Sequence, residues 1–478
     1  MTSTGEVLNS PVMLPCGRIA PNRFVKASMY EALADWWGGL PNHDHEGMYE
    51  LWGKGGWGII LTGNAQVAND HLTLGRDIVV PEDFSEESCE PYERLAEAIH
   101  GPGKATEPHE KPLALLQVSH ATRQSPQLVG GRIFAPPVCV SDVPLAPPDH
   151  WFGRLFFRLL FKHPTSPSDA ELDKILDRFV FAARLAHKCK FDGVQLHGAH
   201  GYLLACTVSP KTNKRTPPYG PASLYILKQL VQRIRKAMPS DFVVAIKLNA
   251  ADYVQGGLTE ETALEHIKDI AGWAQEGYPV DLIEISGGTY ENPRFLTSTR
   301  QALFSAFSRK ALSSIRDIPN APKIILTGSI RSVKIMMETI TSGHADFVAL
   351  ARPSVPYPYL PWLIIDPASY PDKTVSIDTE TGLPKLADEP SPWWNFKIPL
   401  FGAGVSTAWW VAFMARQSAS QQKRRRPLLG KEISQLEKTL DPFWISFELF
   451  IGRRNAVKIK WITYAGFLLF LIFALRRL

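Results

Sequence analysis

The sequence predicts an α/β protein built on a closed (β/α)8 TIM barrel, with a mostly helical C-terminal extension and a transmembrane tail helix. Three observations carry this prediction. Eight short apolar runs of β-forming residues recur between Arg23 and Ala351. Segments of helical periodicity separate most of them, which implies right-handed crossovers and a parallel sheet. No glycine-rich dinucleotide fingerprint follows the first run, which argues against an open doubly wound sheet.

In order, the strand runs are Arg23–Lys26, Trp57–Thr62, Leu113–Ser119, Gly193–His197, Phe242–Asn249, Asp281–Ser286, Lys323–Thr327 and Asp346–Ala351. Helical patterns fall at Glu86–His100, Ser168–Lys190, Ala222–Met238, Thr259–Glu276 and Ser332–Ser342. The connections after the second and third strands are unusually long. The latter holds His150–Lys162, a basic and aromatic stretch that either caps a site or dips into a membrane surface. The barrel pattern ends near residue 370, which divides the chain into 1–370, 371–430, 431–456 and 457–478. Residues Ile398–Ala415 include 18 uncharged positions. A membrane span is possible, but their Gly/Pro cluster and paired tryptophans fit an interfacial or re-entrant element better, and a packed extension onto the barrel fits equally well.

Composition bounds the function. The chain has 478 residues, 45% hydrophobic and 21% charged, which describes a globular protein. Residues 416–478 carry 13 Lys+Arg against 4 Asp+Glu, while the chain as a whole is only +5. A mildly acidic body excludes a nucleic-acid-binding role for it, and the basic tail suits anionic lipid. Five scattered cysteines form no CxxC pair, which fits reduced thiols in a reducing compartment and no metal or iron–sulfur site. The N-terminus lacks the basic and apolar regions of a secretory signal. Trp461–Leu475 is 15 residues without charge, flanked by Lys458, Lys460, Arg476 and Arg477. It reads as a C-terminal anchor that leaves the body facing the cytosol, its short length favouring a thin membrane such as the endoplasmic reticulum. An interfacial helix and a buried helix are the alternatives.

The chemistry concentrates where strands end. The run Val194–Leu196 stops at His197, followed by His200 and Tyr202. Two imidazoles and a phenol at this spacing can hold a carbonyl oxygen and deliver a proton. Gln117, Lys247, Gly328 and Arg352 also lie at strand ends, the face on which such barrels build their sites.

Several separated motifs make the pattern specific: NRFVKASM (22–29), WGKGGWGIILTGNAQV (52–67), LLQVSHATRQ (115–124), HGAHGYLL (197–204) with SPKTNKRTPPYG (209–220), KIILTGSIRS (323–332) and ADFVALARP (345–353). Over residues 8–365 the chain closely resembles the Old Yellow Enzyme family of FMN-dependent ene-reductases. The resemblance implies FMN as cofactor, NADH or NADPH as electron donor, and an α,β-unsaturated carbonyl compound as substrate. It implies that Ala27, Ser28, Met29, Tyr30, Asn64, Gln117, Lys247, Gly328, Ser329, Ala351 and Arg352 bind the cofactor. It also implies that His197 and His200 hold the substrate oxygen and Tyr202 protonates carbon. Ser28 stands where the family usually has Pro, Tyr30 where it has Cys or Thr, and Lys247 where it commonly has Arg. His120 and Arg123 read as structural or rim residues. The alternative functions are a flavin-dependent desaturase running in reverse and a non-catalytic, membrane-tethered flavin-binding protein.

Overall fold

Eight parallel strands close on themselves: β1 (Phe24–Lys26), β2 (Ile59–Gln66), β3 (Leu113–Ser119), β4 (Gly193–Gly198), β5 (Val243–Asn249), β6 (Leu282–Ser286), β7 (Lys323–Thr327) and β8 (Phe347–Leu350). Each pairs in parallel with the next, and β8 pairs back to β1. The computed structural model describes residues 4–101, 111–147, 151–292, 300–328, 330, 332–368, 370 and 399–429, with isolated positions as far as Arg453. All eight expected strands are present. β2 runs past the expected Thr62 to Gln66 because a bulge interrupts its register between Leu61 and Asn64. The bulge is satisfied rather than open. The Thr62 hydroxyl accepts the Gln117 amide at 2.9 Å, and the Gly63 amide donates to the Tyr49 hydroxyl at 2.8 Å.

The described helices of nine or more residues are α1 (His43–Gly53), α2 (Glu86–His100), α3 (Trp151–Leu160), α4 (Asp169–Lys188), α5 (Tyr225–Ala237), α6 (Glu260–Gly272), α7 (Arg300–Ile315), α8 (Val333–Thr341) and α9 (Pro399–Arg424). Side-chain caps fix several starts: Ser85 for α2, Ser168 with Glu171 in a capping box for α4, Thr259 for α6 and Ser332 for α8. Apolar side chains bury in two layers. One fills the barrel interior, including Val25, Leu61, Leu115, Val243, Leu282, Ile325 and Phe347. The larger one lies between the strands and the helices. Both faces of every strand are therefore dry, which explains the unbroken apolar runs.

An antiparallel pair, Val12–Met13 and Ile19–Ala20, covers the N-terminal end of the barrel. A recess there is lined by Arg18, His100, Lys111 and Asp192. Asp192 accepts Arg18 at 2.8 Å, His100 at 2.9 Å and the Ala114 amide at 2.8 Å. This end is stitched together for stability, away from the strand ends that carry chemistry.

Of the two readings left open for residues 398–415, the described part from Pro399 onward supports packing onto the barrel. Helix α9 buries Trp409, Trp410, Phe413 and Met414, and its Gln422 donates to the His43 carbonyl at 2.7 Å, at the start of α1. Gln417 accepts the Leu428 amide at 2.8 Å, and Arg416 grips Glu448 through both guanidinium nitrogens at 2.9 and 3.0 Å. The two helices approach at Gly47, where a Cβ would stand 2.5 Å from the Ser418 hydroxyl oxygen. Gly47→Leu should therefore push α9 away and cost about 1–3 kcal/mol, as overpacking does. Thermal unfolding checks it, and an unchanged midpoint would show that α9 is not docked this way. Among the described residues, no helix is long and apolar enough to cross a membrane. The expected anchor at residues 461–475 lies outside the described residues and gains no support from them.

Candidate active site

Strand ends and the loops after them bring the expected residues into three neighbouring groups. The first is a polar layer across the top of the barrel. Ser28 donates to Gln117 Oε1 at 2.6 Å, Gln117 Nε2 donates to Gln195 Oε1 at 2.5 Å, and Gln195 Nε2 donates to Glu284 Oε2 at 2.8 Å. The other oxygen of Glu284 receives Lys247 Nζ at 2.9 Å and the Thr327 hydroxyl at 2.7 Å. Strand register makes this chain possible, since Gln117 pairs with Gln195 and Lys247 with Glu284 on adjacent strands. Gln195 and Glu284 escape sequence reasoning, although a glutamate inside the apolar run LIEIS is a signal of an inward polar role. Glu284 also changes what Lys247 brings. The cation is buried and already paired, so the net positive charge it presents is smaller than a lone lysine would give.

The second group is the His–His–Tyr constellation. The His197 ring lies 4.6 Å from Tyr202 and 5.1 Å from His200, centre to centre, at steep angles. Burial pushes the His197 pKa well below the ordinary imidazole value, and the Lys247 charge adds to this. The ring is therefore neutral near pH 7. Its Nδ1 accepts the Ala199 amide at 3.3 Å, so the proton sits on Nε2, which makes that atom a donor. His200 is held in the left-handed region at φ +60°. Its amide donates to Asn249 at 3.1 Å, and its carbonyl accepts Gln124 at 2.7 Å. Its Nε2 lies 2.7 Å from the Ser286 hydroxyl, so a ligand bond from that atom must displace Ser286.

Tyr202 is ringed by polar groups. Its hydroxyl is 3.3 Å from that of Tyr290, and Thr73 and Asn64 lie close enough to favour its ionised form. Burial raises its pKa despite those neighbours, so the phenol is protonated at neutral pH. Asn64, expected beside the flavin, thus also lies near Tyr202. Tyr30 turns towards the same cluster: burial, with Asp77 adding, raises its phenol well above the ordinary value. Asp77 is buried, bonded by Gln66 at 3.1 Å and by the Thr73 amide at 2.9 Å. Tyr290 arrives here because Gln124 accepts its amide at 3.1 Å, while Arg123 and Lys211 hold Glu291 beside it. Nothing in the local sequence marks Tyr290, Thr73 or Asp77 as site residues. His120 and Arg123 are structural, as expected. His120 stacks on His71 at 4.4 Å, and Arg123 donates to the Pro144 carbonyl at 2.8 Å.

The third group lies at the ends of β7 and β8, which are in register. Gly328 has φ +119°, and Arg352 opens a short helical turn after Ala351. That turn is pinned by the Ser354 hydroxyl on the Ala351 carbonyl at 2.7 Å and by Trp52 on the Ser354 carbonyl at 2.8 Å. Ser329 lies outside the described residues. Ala27 donates its amide to Leu350 at 3.0 Å, tying the Ser28–Tyr30 turn to this side. The donor set fits FMN: an amide with donor and acceptor, a cation beside it, and backbone with an arginine at the barrel's usual phosphate position.

Comparison with known proteins identifies the family. Residues 18–364 match the NADH:flavin oxidoreductase / NADH oxidase family. The NADH-dependent flavin oxidoreductase iliE of Neonectria sp. (strain DH2) is 34% identical over 367 residues, covering 73% of this chain but only 46% of that protein. The NADH-dependent flavin oxidoreductase iccE of Talaromyces variabilis is 30% identical over 421 residues, 84% of this chain and 96% of the relative. Among solved structures, a 2-naphthoyl-CoA reductase aligns with a TM-score of 0.62 at 21% identity, over 76% of this chain and 52% of that one, which supports the fold. The chain belongs to the NADH:flavin oxidoreductase / NADH oxidase family, Old Yellow Enzyme-like flavoproteins that bind FMN and take electrons from NAD(P)H.

Proposed function

We propose that the protein reduces the C=C bond of α,β-unsaturated carbonyl compounds. The observation that supports this best is a protonated, buried Tyr202 against a neutral His197 that donates from Nε2. When bound, FMN supplies the hydride. The chain's own groups do the rest. His197 and His200 hold the carbonyl oxygen and draw charge from the alkene, and Tyr202 gives its proton to the α-carbon. Tyr290 keeps the Tyr202 hydroxyl aimed, while the layer from Ser28 to Lys247 meets the cofactor's polar edge. NAD(P)H and the enone take turns in one pocket, so turnover is ping-pong. The test is a yellow purified protein that NAD(P)H bleaches and an enone restores. Bleaching by NAD(P)H with recovery by oxygen alone would defeat the enone assignment.

At the phosphate end, Arg352→Ala should weaken retention of the cofactor by about 1.5–3 kcal/mol, or roughly 10- to 150-fold, through loss of a charge-assisted contact. The flavin-to-protein ratio after exhaustive dialysis reads this directly, and the released flavin should chromatograph as FMN. An unaltered ratio would remove Arg352 from the phosphate site.

A further inference from the structure

Eight of the ten large apolar side chains that stand exposed among the described residues fall in three segments, 36–37, 128–134 and 151–159. Scattered surface apolar residues are ordinary, but this concentration is not. The three segments are also tied together. Trp37 Nε1 donates to the Leu128 carbonyl at 2.7 Å, and Lys162 bonds the Phe134 carbonyl while standing 5.6 Å over its ring. Gln127 holds the end of α3 through the Leu159 and Leu160 carbonyls at 3.0 and 2.7 Å. Phe157 points inward, is buried and lies 4.7 Å from Phe161, which fixes the rotation of α3. Trp151, Leu155 and Leu159, spaced at i, i+4 and i+8, consequently form one outward stripe, 76%, 53% and 65% exposed.

Charge indicates what covers this stripe. Arg154 and Arg158 are exposed beside it, Lys162 follows, and residues 151–163 contain no Asp or Glu. A second copy meeting this face across a two-fold axis would set arginine against arginine. The chain's own apolar run 461–475 is bracketed by four cations and would meet the same repulsion. A bilayer bearing anionic headgroups satisfies both the apolar stripe and the cations. We infer that this face docks on an anionic phospholipid surface, with Trp151, Leu155 and Leu159 entering the interface and Arg154, Arg158 and Lys162 meeting the headgroups. The segments follow β1 and β3 at their C-terminal ends, and Gln124 of the same loop supports His200 and Tyr290. Docking would therefore set the mouth of the active site against the membrane and give apolar substrates a path from the lipid phase.

The test places a polarity-sensitive dye on Leu155→Cys in the full chain. Four of the five native cysteines are buried, and Cys16 lies at the opposite end of the barrel, so labelled unsubstituted protein corrects for background. Adding vesicles of equal parts phosphatidylcholine and phosphatidylserine should shift the emission to the blue, whereas pure phosphatidylcholine should do so far less. Replacing both arginines (Arg154→Gln, Arg158→Gln) should weaken partition on the order of 30-fold, and added salt should weaken it further. A label that stays in water while the protein sediments with vesicles would overturn the proposal, because another segment would then be the anchor. An apolar signal before any vesicle is added would equally overturn it, in favour of a second copy or the chain's own tail. The readout is the position of residue 155, so it stands or falls separately from the enone assignment.

Discussion

Replacing Glu31 with alanine should lower the unfolding free energy by about 3–5 kcal/mol, the usual cost of removing one partner from a buried ion pair. Lys26 ends β1 with its ammonium wholly out of water, 3.2 Å from Glu31 Oε1 and 3.0 Å from the Leu61 carbonyl. It also lies 3.9 Å above the Trp52 ring. Glu31 accepts the Tyr49 hydroxyl at 2.5 Å, and Tyr49 in turn accepts the Gly63 amide of the β2 bulge. Without the carboxylate, the charge is left with one carbonyl, a long 3.5 Å bond to the Tyr49 hydroxyl and two ring faces. The loss should depend on pH in a definite direction. Burial lowers the Lys26 pKa, and Glu31 is the main group raising it again, so the variant depresses it further. A group depressed in the folded state binds fewer protons there than when unfolded, so stability rises with pH. The deficit should thus be larger at pH 6 than at pH 9.5. The paired replacement Lys26→Met, Glu31→Leu should recover most of it. Denaturant unfolding at both pH values checks this, and a deficit below about 1 kcal/mol at pH 6 would contradict it.

What the sequence makes legible follows from where water is excluded. Barrel strands are dry on both faces, so β3, β5 and β7 read as plain apolar runs with nearly correct ends. Helix α1 does not read as a helix, because α9 covers the face that would otherwise be polar. His45, Gly47, Met48, Tyr49, Leu51 and Trp52 are all buried and leave no stripe. The same contact makes residues 398–415 resemble a membrane element, since an apolar, aromatic helix suits a protein groove as well as lipid. In the site, His197, His200 and Tyr202 are neighbours in sequence and therefore readable. Gln195 and Glu284 belong to the site only through strand register. Tyr290, Thr73 and Asp77 reach it only through loop packing, which periodicity does not encode.

Tyr202→Phe should slow the oxidative half-reaction with an enone by roughly 10²- to 10⁴-fold, the range for a lost general acid. Reduction of the flavin by NAD(P)H should stay near normal, because that step needs no proton from this phenol. The structure adds two constraints to the expectation. The Tyr202 pKa lies above the ordinary 10.0, so the alkaline limb of the enone reaction should begin above that value, and the phenylalanine variant should lose the limb. The donor is also one of a pair: Tyr290 stands 3.3 Å from it. Tyr290→Phe removes a contact that favours the phenolate. It should raise the Tyr202 pKa further and leave a smaller kinetic defect than Tyr202→Phe. If Tyr290 instead delivers the proton itself, the order of the two defects reverses. Stopped-flow reoxidation of the two variants across pH separates the cases. Equal slowing of both half-reactions in Tyr202→Phe would mean that the residue shapes the pocket and donates nothing.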